Sequence, residues 1–355
     1  MQDFHYKGLP VEVYFGLGQS AQVKDILLEQ GYQRVLVITT PGQEKAGQEL
    51  ANKLGDISIG VYPHAVMHVP IAIADEAVAY AQLHEVDCCL SLGGGSTIGL
   101  AKAIALQTHL PIVAIPTTYA GSEMTAIYGV TDNHHKTTGK NNCVLPKMVI
   151  YDPELNLSLP AQVSACSGMN AMAHAIEALY AEDKNPIISL MAIESIQALK
   201  SALPIIVKDI SNIAARQKAS YGAWLAGVCL GSVGMAMHHK ICHVLGGTFN
   251  LPHAEAHAII LAYSVHYNRH ADSEAMDRLA MALAVDSREE LGLAIYRLNQ
   301  FLGIEMALKN IGLPKEGPTK VAQMVGDSPY YNPRDYNYQE LKELLEKAYE
   351  GLPPA

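Results

Sequence analysis

An α/β domain followed by an all-α domain is the fold class this 355-residue sequence predicts, and three observations predict it. Short β-rich runs alternate with helical periodicity as far as about Leu155, the pattern of a parallel sheet covered by helices on both faces. Beyond that point strand signals nearly vanish, and Ala-, Met- and Leu-rich segments recur at helical spacing. A chain of this length also has enough residues for two cores. The change of character near Asp152-Pro153 divides the chain into residues 1–155 and 156–355.

In the first part, Val11 to Phe15, Arg34 to Thr39, Ser58 to Tyr62, Cys88 to Leu92, Ile112 to Pro116 and Met148 to Tyr151 are the strand candidates. Helical patterns at Ala21 to Gln30, Ala46 to Leu54 and Ile71 to His84 lie between several of them. Such an alternation is the usual home of nucleotide sites, so this part is expected to be a Rossmann-like dinucleotide-binding domain. In the second part Cys166 to Ala181, Pro186 to Ser201, Ile213 to Ala236 and Ala275 to Leu283 are expected helices. No internal repeat, low-complexity tract or long flexible linker interrupts them.

The strongest motif of the first part is Ser91-Leu92-Gly93-Gly94-Gly95-Ser96-Thr97-Ile98-Gly99-Leu100-Ala101-Lys102, which follows an apolar strand and opens a helix. Glycines let a backbone approach a pyrophosphate, and a helix N-terminus offers N–H donors and positive potential. The motif is not Gly-x-Gly-x-x-Gly, and a plain strand-to-helix turn looks similar. A second polar loop, Pro116-Thr117-Thr118-Tyr119-Ala120-Gly121-Ser122-Glu123, leaves the next apolar strand at its C-terminal end. Ligands of open α/β sheets bind at that edge, so two such loops point to a dinucleotide.

The second part carries His238-His239-Lys240-Ile241-Cys242-His243 and then His253-Ala254-Glu255-Ala256-His257. His239 and His243 are four apart, as are His253 and His257, which puts each pair on one helix face. Between them Gly246-Gly247 is expected to stop one helix, with Asn250 and Pro252 starting the next. Two helices meeting at a tight turn would aim four imidazoles into one space. Histidine titrates near neutrality and ligates metals, so the cluster suggests a catalytic site.

The net charge of −10 argues against nucleic acid or an anionic membrane as partner. No apolar run is expected to span a membrane, and Met1-Gln2-Asp3-Phe4-His5 does not resemble a signal peptide. Cysteines 88, 89, 143, 166, 229 and 242 show no Cys-x-x-Cys or scaffold spacing and read as reduced, mostly buried thiols of a cytoplasmic protein.

Four segments occur together in a familiar order: Gly93-Gly94-Gly95-Ser96, the Pro116 to Thr125 loop, Ser167-Gly168-Met169-Asn170-Ala171-Met172-Ala173-His174-Ala175-Ile176-Glu177-Ala178, and the histidine segment. The chain thereby resembles the iron-containing alcohol dehydrogenase superfamily, which shares its two-domain plan with dehydroquinate synthase. Pro116-Thr117-Thr118-Tyr119-Ala120-Gly121-Ser122-Glu123-Met124-Thr125, Met67-His68-Val69-Pro70, Lys136-Thr137-Thr138-Gly139, His239-Lys240, Asn250-Leu251-Pro252-His253 and Asn332-Pro333-Arg334 resemble its maleylacetate reductase branch.

The resemblance implies a nucleotide domain, a helical domain, an active cleft between them and a homodimer. It implies reduction of maleylacetate to 3-oxoadipate by NADH or NADPH in aromatic-compound degradation. Gly94, Gly95 and Ser96 would hold the pyrophosphate; Thr117, Thr118 and Ser122 would approach the ribose and nicotinamide; Lys136 or Lys140 would reach the cofactor or be solvated loop charges. Thr40, after the second strand, stands where NAD-selective relatives often place Asp, so both cofactors are expected to be accepted.

Two departures matter. Metal-holding members use one Asp and three His, and the matching positions are Asn170, His174, His239 and His253. An amide replaces the anion, so a divalent metal is expected to be dispensable and Asn170 to bond a neighbour instead. Gly99 stands where many members carry Asp, which removes any fixed contact expected there. Hydride addition to the alkene carbon β to the ketone sends charge to the ketone oxygen as a dispersed enolate, for which hydrogen-bond donors are enough. His243 or His253 is the expected donor, with another histidine, such as His239, or water as proton source. Lys240 and Arg334 are candidate partners for the substrate carboxylates, and Tyr119 is a candidate donor. Two other readings are a metal-dependent alcohol or polyol dehydrogenase and a dehydroquinate synthase-like lyase; the second fits Asn170 poorly.

Overall fold

The computed structural model describes residues 3–132 and 135–354, apart from the side chains of 135 and 136. The chain folds as two units: Gly8–Leu159, and Pro160–Ala355 with the segment before Gly8. The first unit thus runs past the expected limit at 155. Asp152 explains why, since its carboxylate accepts from Gly18 N (3.1 Å), Ser20 N (3.0 Å) and Ser20 Oγ (2.6 Å), while Leu155 packs into that unit's core.

In the first unit the order is β1 (Glu12–Phe15), α1 (Val23–Glu29), β2 (Val35–Ile38), α2 (Glu44–Leu54), β3 (Ser58–Tyr62), α3 (Ile71–Leu83), β4 (Cys88–Gly93), α4 (Gly95–Thr108) and β5 (Ile112–Pro116). A hairpin of β6 (Ile127–Asp132) and β7 (His135–Lys140) follows, then β8 (Met148–Tyr151). Six strands form one parallel sheet in the order β1-β8-β5-β4-β2-β3. Side chains alternate across it, as a period of two requires. Leu36 and Ile38 join the core that includes Ala74, Ala77, Leu100 and Ile104 from α3 and α4, whereas Val35 and Val37 join Val23, Leu27, Leu50 and Leu54 from α1 and α2. Both faces are therefore covered, and strands as apolar as Val35-Leu36-Val37-Ile38 are fully buried. The chain runs outward from β2 to β3 and then returns to place β4 on the other side of β2. The sheet's switch point lies between β2 and β4, and the loops leaving these two strands flank it.

The second unit is helical: α5 (Ala161–Leu179), α6 (Pro186–Ile206), α7 (Ile213–Ser232), α8 (Met237–Phe249), α9 (His253–Asn268), α10 (Ser273–Leu283), α11 (Leu291–Phe301), α12 (Gly317–Asp327) and α13 (Tyr338–Glu350). α5 packs against α6, α7 and α9, and α8 packs along α9. One expectation needs correction, because α6 is long and apolar enough to cross a membrane by length and composition. Its Ile188, Ala192, Ile196, Leu199 and Leu203 are buried, and it packs against α5 and α7 as a core helix of this unit. A second correction concerns Gly246-Gly247. Both lie inside α8, which instead ends at Asn250 in the left-handed region (φ 54°), its N–H bonding back to Gly246 O. Asparagine tolerates that conformation, so Asn250 closes α8 rather than starting α9.

Candidate active site

Within the first unit, the glycine-rich loop after β4 flanks the switch point, and the loop after β5 lies on the neighbouring strand. Gly93 ends β4 at φ 151°, and Gly94 caps α4 in an extended conformation, with Gly95 and Ser96 opening its first turn. A Cβ on Gly94 would lie 2.8 Å from Thr118 Cγ2 and 2.9 Å from Thr118 Oγ1, so the two loops meet at a distance only glycine permits. Thr97 Oγ1, in the first turn of α4, is buried without a hydrogen-bond partner. A glycine cradle at a helix N-terminus and an unpartnered hydroxyl fit a pyrophosphate. Gly99 has a packing reason: a Cβ there would meet Val69 Cγ2 at 2.8 Å.

Beside the cradle a cavity of about 510 Å³ is lined by Gly42, Gln43, Lys45, Leu92, Ile115 and Thr117 among others. Gln43 is a residue the sequence did not flag. Its Nε2 donates to Thr117 Oγ1 (3.1 Å), and Thr40 Oγ1 donates to its Oε1 (3.4 Å), which links the loops after β2 and β5. Lys102 was also missed as a site residue. Fully buried, its Nζ donates to Ser122 O (2.7 Å), Thr125 O (2.8 Å), Thr125 Oγ1 (2.9 Å) and Ile127 O (2.8 Å). It fastens the Thr117–Ser122 loop to α4, and burial pulls its pKa down to about 7 against the opposing pull of Glu123. Tyr119 corrects an expectation: it is fully enclosed and packs as core, so it presents no hydroxyl at the surface of the loop. Lys140 is exposed, and the side chain of Lys136 lies outside the described residues.

The second unit gathers the histidines. Ring centroids are 4.9 Å apart for His174–His239, His239–His257 and His238–His257, and 4.3 Å for His253–His257; His243 stands 6.2 Å from His239. α8 supplies 238, 239 and 243, α9 supplies 253 and 257, and α5 supplies 174. The anchor is Glu177, wholly buried on α5, whose role was not legible in the sequence. Its carboxylate accepts from Ala236 N (2.7 Å) and His238 N (2.9 Å) at the N-terminus of α8, and from His239 Nδ1 (2.7 Å). A helix N-terminus is a natural seat for a carboxylate, and here its backbone N–H groups supply two of the three donors.

That anchor fixes tautomers along a chain. With His239 Nδ1–H given to Glu177, His239 Nε2 accepts from His174 Nδ1–H at 2.7 Å, and His174 Nε2 accepts from Asn170 Nδ2 at 3.3 Å. Asn170 bonds a neighbour, and its Oδ1 is buried without a partner. A second chain runs from His257 Nδ1 to His238 Nε2 (3.0 Å) and from His238 Nδ1 to Ser264 Oγ (3.1 Å), which in turn donates to Leu261 O. Burial, reinforced by the neighbouring histidines, pulls the pKa of His238 and of His257 well below the ordinary value. Both are neutral.

His243 is exposed, with the Tyr330 hydroxyl 3.5 Å from its Nδ1, and Lys240 Nζ lies 5.1 Å over the Tyr330 ring. Tyr330 is a further residue the sequence missed. Arg334 corrects another expectation. It donates to Glu340 Oε1 (2.6 Å) and Tyr267 O (3.1 Å) and stacks on the Tyr267 ring, so its charge is already matched. It lines a separate cavity of about 220 Å³ that includes none of the six clustered histidines.

Two family descriptions match the chain, "Iron-containing alcohol dehydrogenase" over residues 10–153 and "Fe-containing alcohol dehydrogenase family, C-terminal" over 164–349. The chain belongs to the iron-containing alcohol dehydrogenase family. It is 49% identical over 351 residues to a maleylacetate reductase of Sphingobium indicum, covering 99% of each, and 47% identical over 355 residues to that of Burkholderia cepacia, covering 100% of each. The crystal structure of maleylacetate reductase from Agrobacterium tumefaciens superposes with a TM-score of 0.95 at 43% identity, over 100% of both chains.

The family description raises the question of iron. The matching residues offer three neutral imidazoles and an amide, and the cluster's carboxylate, Glu177, is turned to the far side of His239. His174 Nδ1 and His239 Nε2 are 2.7 Å apart. Two ring nitrogens bound at about 2.0–2.1 Å in a tetrahedral shell stand roughly 3.3 Å apart. As arranged, these groups form a hydrogen-bonded chain and do not fit a divalent cation, although the bare Asn170 Oδ1 is an acceptor a cation would satisfy.

Proposed function

We propose that the chain reduces maleylacetate to 3-oxoadipate with NADH or NADPH, without a required metal. The observation that carries this reading is near-complete coverage at 43–49% identity by several proteins named maleylacetate reductase. The glycine cradle and the Gln43–Thr117 link support a nicotinamide dinucleotide held by Gly94, Gly95, Ser96, Thr117, Thr118 and Ser122. When bound, the reduced nicotinamide supplies a hydride.

The chain's own groups meet the charge and deliver the proton. As hydride adds to the alkene carbon β to the ketone, the electron pair moves to the ketone oxygen, and a proton then closes the other carbon. His243 is the donor we assign to that oxygen, because it is the exposed member of the cluster and Tyr330 is positioned to hold its ring. Lys240 lies over the ring of the same Tyr330 that approaches His243, and its charge suits a substrate carboxylate. His239 keeps both ring nitrogens engaged, which suits it to orienting the cluster through Glu177. His253, half-buried with its ring tilted against that of His257, is the second proton source. The reading extends to a cytoplasmic homodimer, supported by the free state of all six cysteines and by the family resemblance.

Purified protein mixed with maleylacetate and either reduced nicotinamide should consume the cofactor's near-ultraviolet absorbance stoichiometrically. Inertness towards maleylacetate alongside brisk oxidation of a simple alcohol or polyol would transfer the assignment to an alcohol dehydrogenase.

A further inference from the structure

Behind the histidines assigned above lies a trio the reaction does not use. His238, Cys242 and His257 are all fully buried, and one ligand atom from each lies within 4.8 Å of the others. His238 and Cys242 are four apart on α8 and project to one side, with Cys242 Sγ 3.8 Å from His238 Nε2. His257 reaches them from α9, its Nδ1 3.0 Å from His238 Nε2. Ser264 Oγ holds His238 Nδ1–H and so turns the unprotonated Nε2, which accepts from His257 Nδ1, into the trio. A hydrogen bond from behind is how metal-binding histidines are usually oriented.

The other nitrogen, His257 Nε2, is buried and has no hydrogen-bond partner. That bare nitrogen removes the main obstacle to a metal. The proton now on His257 Nδ1 has a place to go within the same ring, which frees Nδ1 as a ligand while the imidazole stays neutral.

We propose that His238, Cys242 and His257 form a binding site for a soft monovalent cation, of which Cu(I) is the type. Thiolate and imidazole are ligands of that softness class. The charge also selects it: one thiolate and two neutral imidazoles cancel a single positive charge, whereas a divalent ion would leave a net charge in a fully enclosed space. The balance is M⁺ plus the Cys242 thiol giving M–S and one released proton, with the His257 proton moving from Nδ1 to Nε2 and no change in oxidation state. The site is distinct from the Asn170, His174, His239 and His253 set. A cation here would replace the present bond between His257 and His238.

The test is an anaerobic titration of the chelator-treated full chain with Cu(I) supplied as its acetonitrile complex, against a chromophoric Cu(I) chelator. Wild type should retain one copper per chain and release one proton per copper, and X-ray absorption should show one sulfur and two imidazole nitrogens. Cys242→Ser should lose that copper, Ser264→Ala should weaken retention about 10–100-fold, and Cys143→Ser should change nothing. If Cys242→Ser fails to fold by circular dichroism, the absorption spectrum of the wild-type complex decides alone. Sulfur-only coordination, equal retention by a folded Cys242→Ser variant, or tighter binding of Zn²⁺ than of Cu(I) would overturn the proposal.

Discussion

Replacing Glu177 with glutamine tests whether one buried carboxylate organises the histidines. The carboxylate accepts three close hydrogen bonds, from Ala236 N (2.7 Å), His238 N (2.9 Å) and His239 Nδ1 (2.7 Å). A glutamine amide has one oxygen for these three donors. With that oxygen in the Oε2 position, Ala236 and His239 keep their acceptor, but the amide NH₂ faces the His238 N–H. One buried N–H is then unsatisfied, at about 1–3 kcal/mol, and the two remaining bonds lose their charge assistance at roughly 1 kcal/mol each. Relief from burying a charge offsets part of this, which leaves a net loss of about 2–4 kcal/mol. The weaker hold on His239, and through it on His174, should lower kcat about 10–100-fold, while the KM for the nicotinamide stays near wild type because its loops belong to the other unit. Urea unfolding and steady-state kinetics read the two effects separately. A variant within about 0.5 kcal/mol of wild type with unchanged kcat would refute the anchoring role.

Three further perturbations probe other parts of the account. His243→Ala should lower kcat with maleylacetate by about two to four powers of ten and leave nucleotide affinity nearly intact; turnover close to wild type would make His243 a bystander. Thr40→Asp places a carboxylate where Thr40 now bonds Gln43, and repulsion of a 2′-phosphate should cut kcat/KM for NADPH about tenfold relative to NADH; an unchanged ratio would take this residue out of cofactor choice. Stability should fall on acidification, because His238 and His257 stay neutral in the fold but take up protons near pH 6.5 when unfolded. The unfolded chain binds more protons below that pH, so each residue removes up to about 1.4 kcal/mol per pH unit until it is itself protonated; equal urea midpoints at about pH 7.5 and 5.5 would contradict that burial.

The sheet was legible because its strands are short, apolar and bounded by turns, so that Ser58–Tyr62, Ile112–Pro116 and Met148–Tyr151 lie where the sequence puts them. The β6–β7 hairpin was not, since His-Lys-Thr-Thr-Gly-Lys offers no apolar alternation. Gly246-Gly247 misled because glycine's cost in a helix, about 1 kcal/mol each, is small beside the packing of α8 on α9. Within the site, spacing exposed the histidine pairs, but the acid that orients them lies 62 residues from His239 in sequence. No local pattern marks such a partner. Arg334 misled differently: its ion-pair partner Glu340 is only six residues on, but the Tyr267 carbonyl and ring that complete its surroundings come from α9, 67 residues back.

The most direct test of the central claim is the maleylacetate reductase rate of enzyme stripped of metal and verified by elemental analysis. The hydrogen-bonded chain from Asn170 through His174 and His239 to Glu177 predicts that most of the activity survives. It also predicts that Asn170→Asp raises metal affinity by restoring an anion beside His174. Abolition of turnover by chelation, with full recovery on one equivalent of iron or zinc, would contradict the account and make Asn170 a neutral ligand in a working metal site.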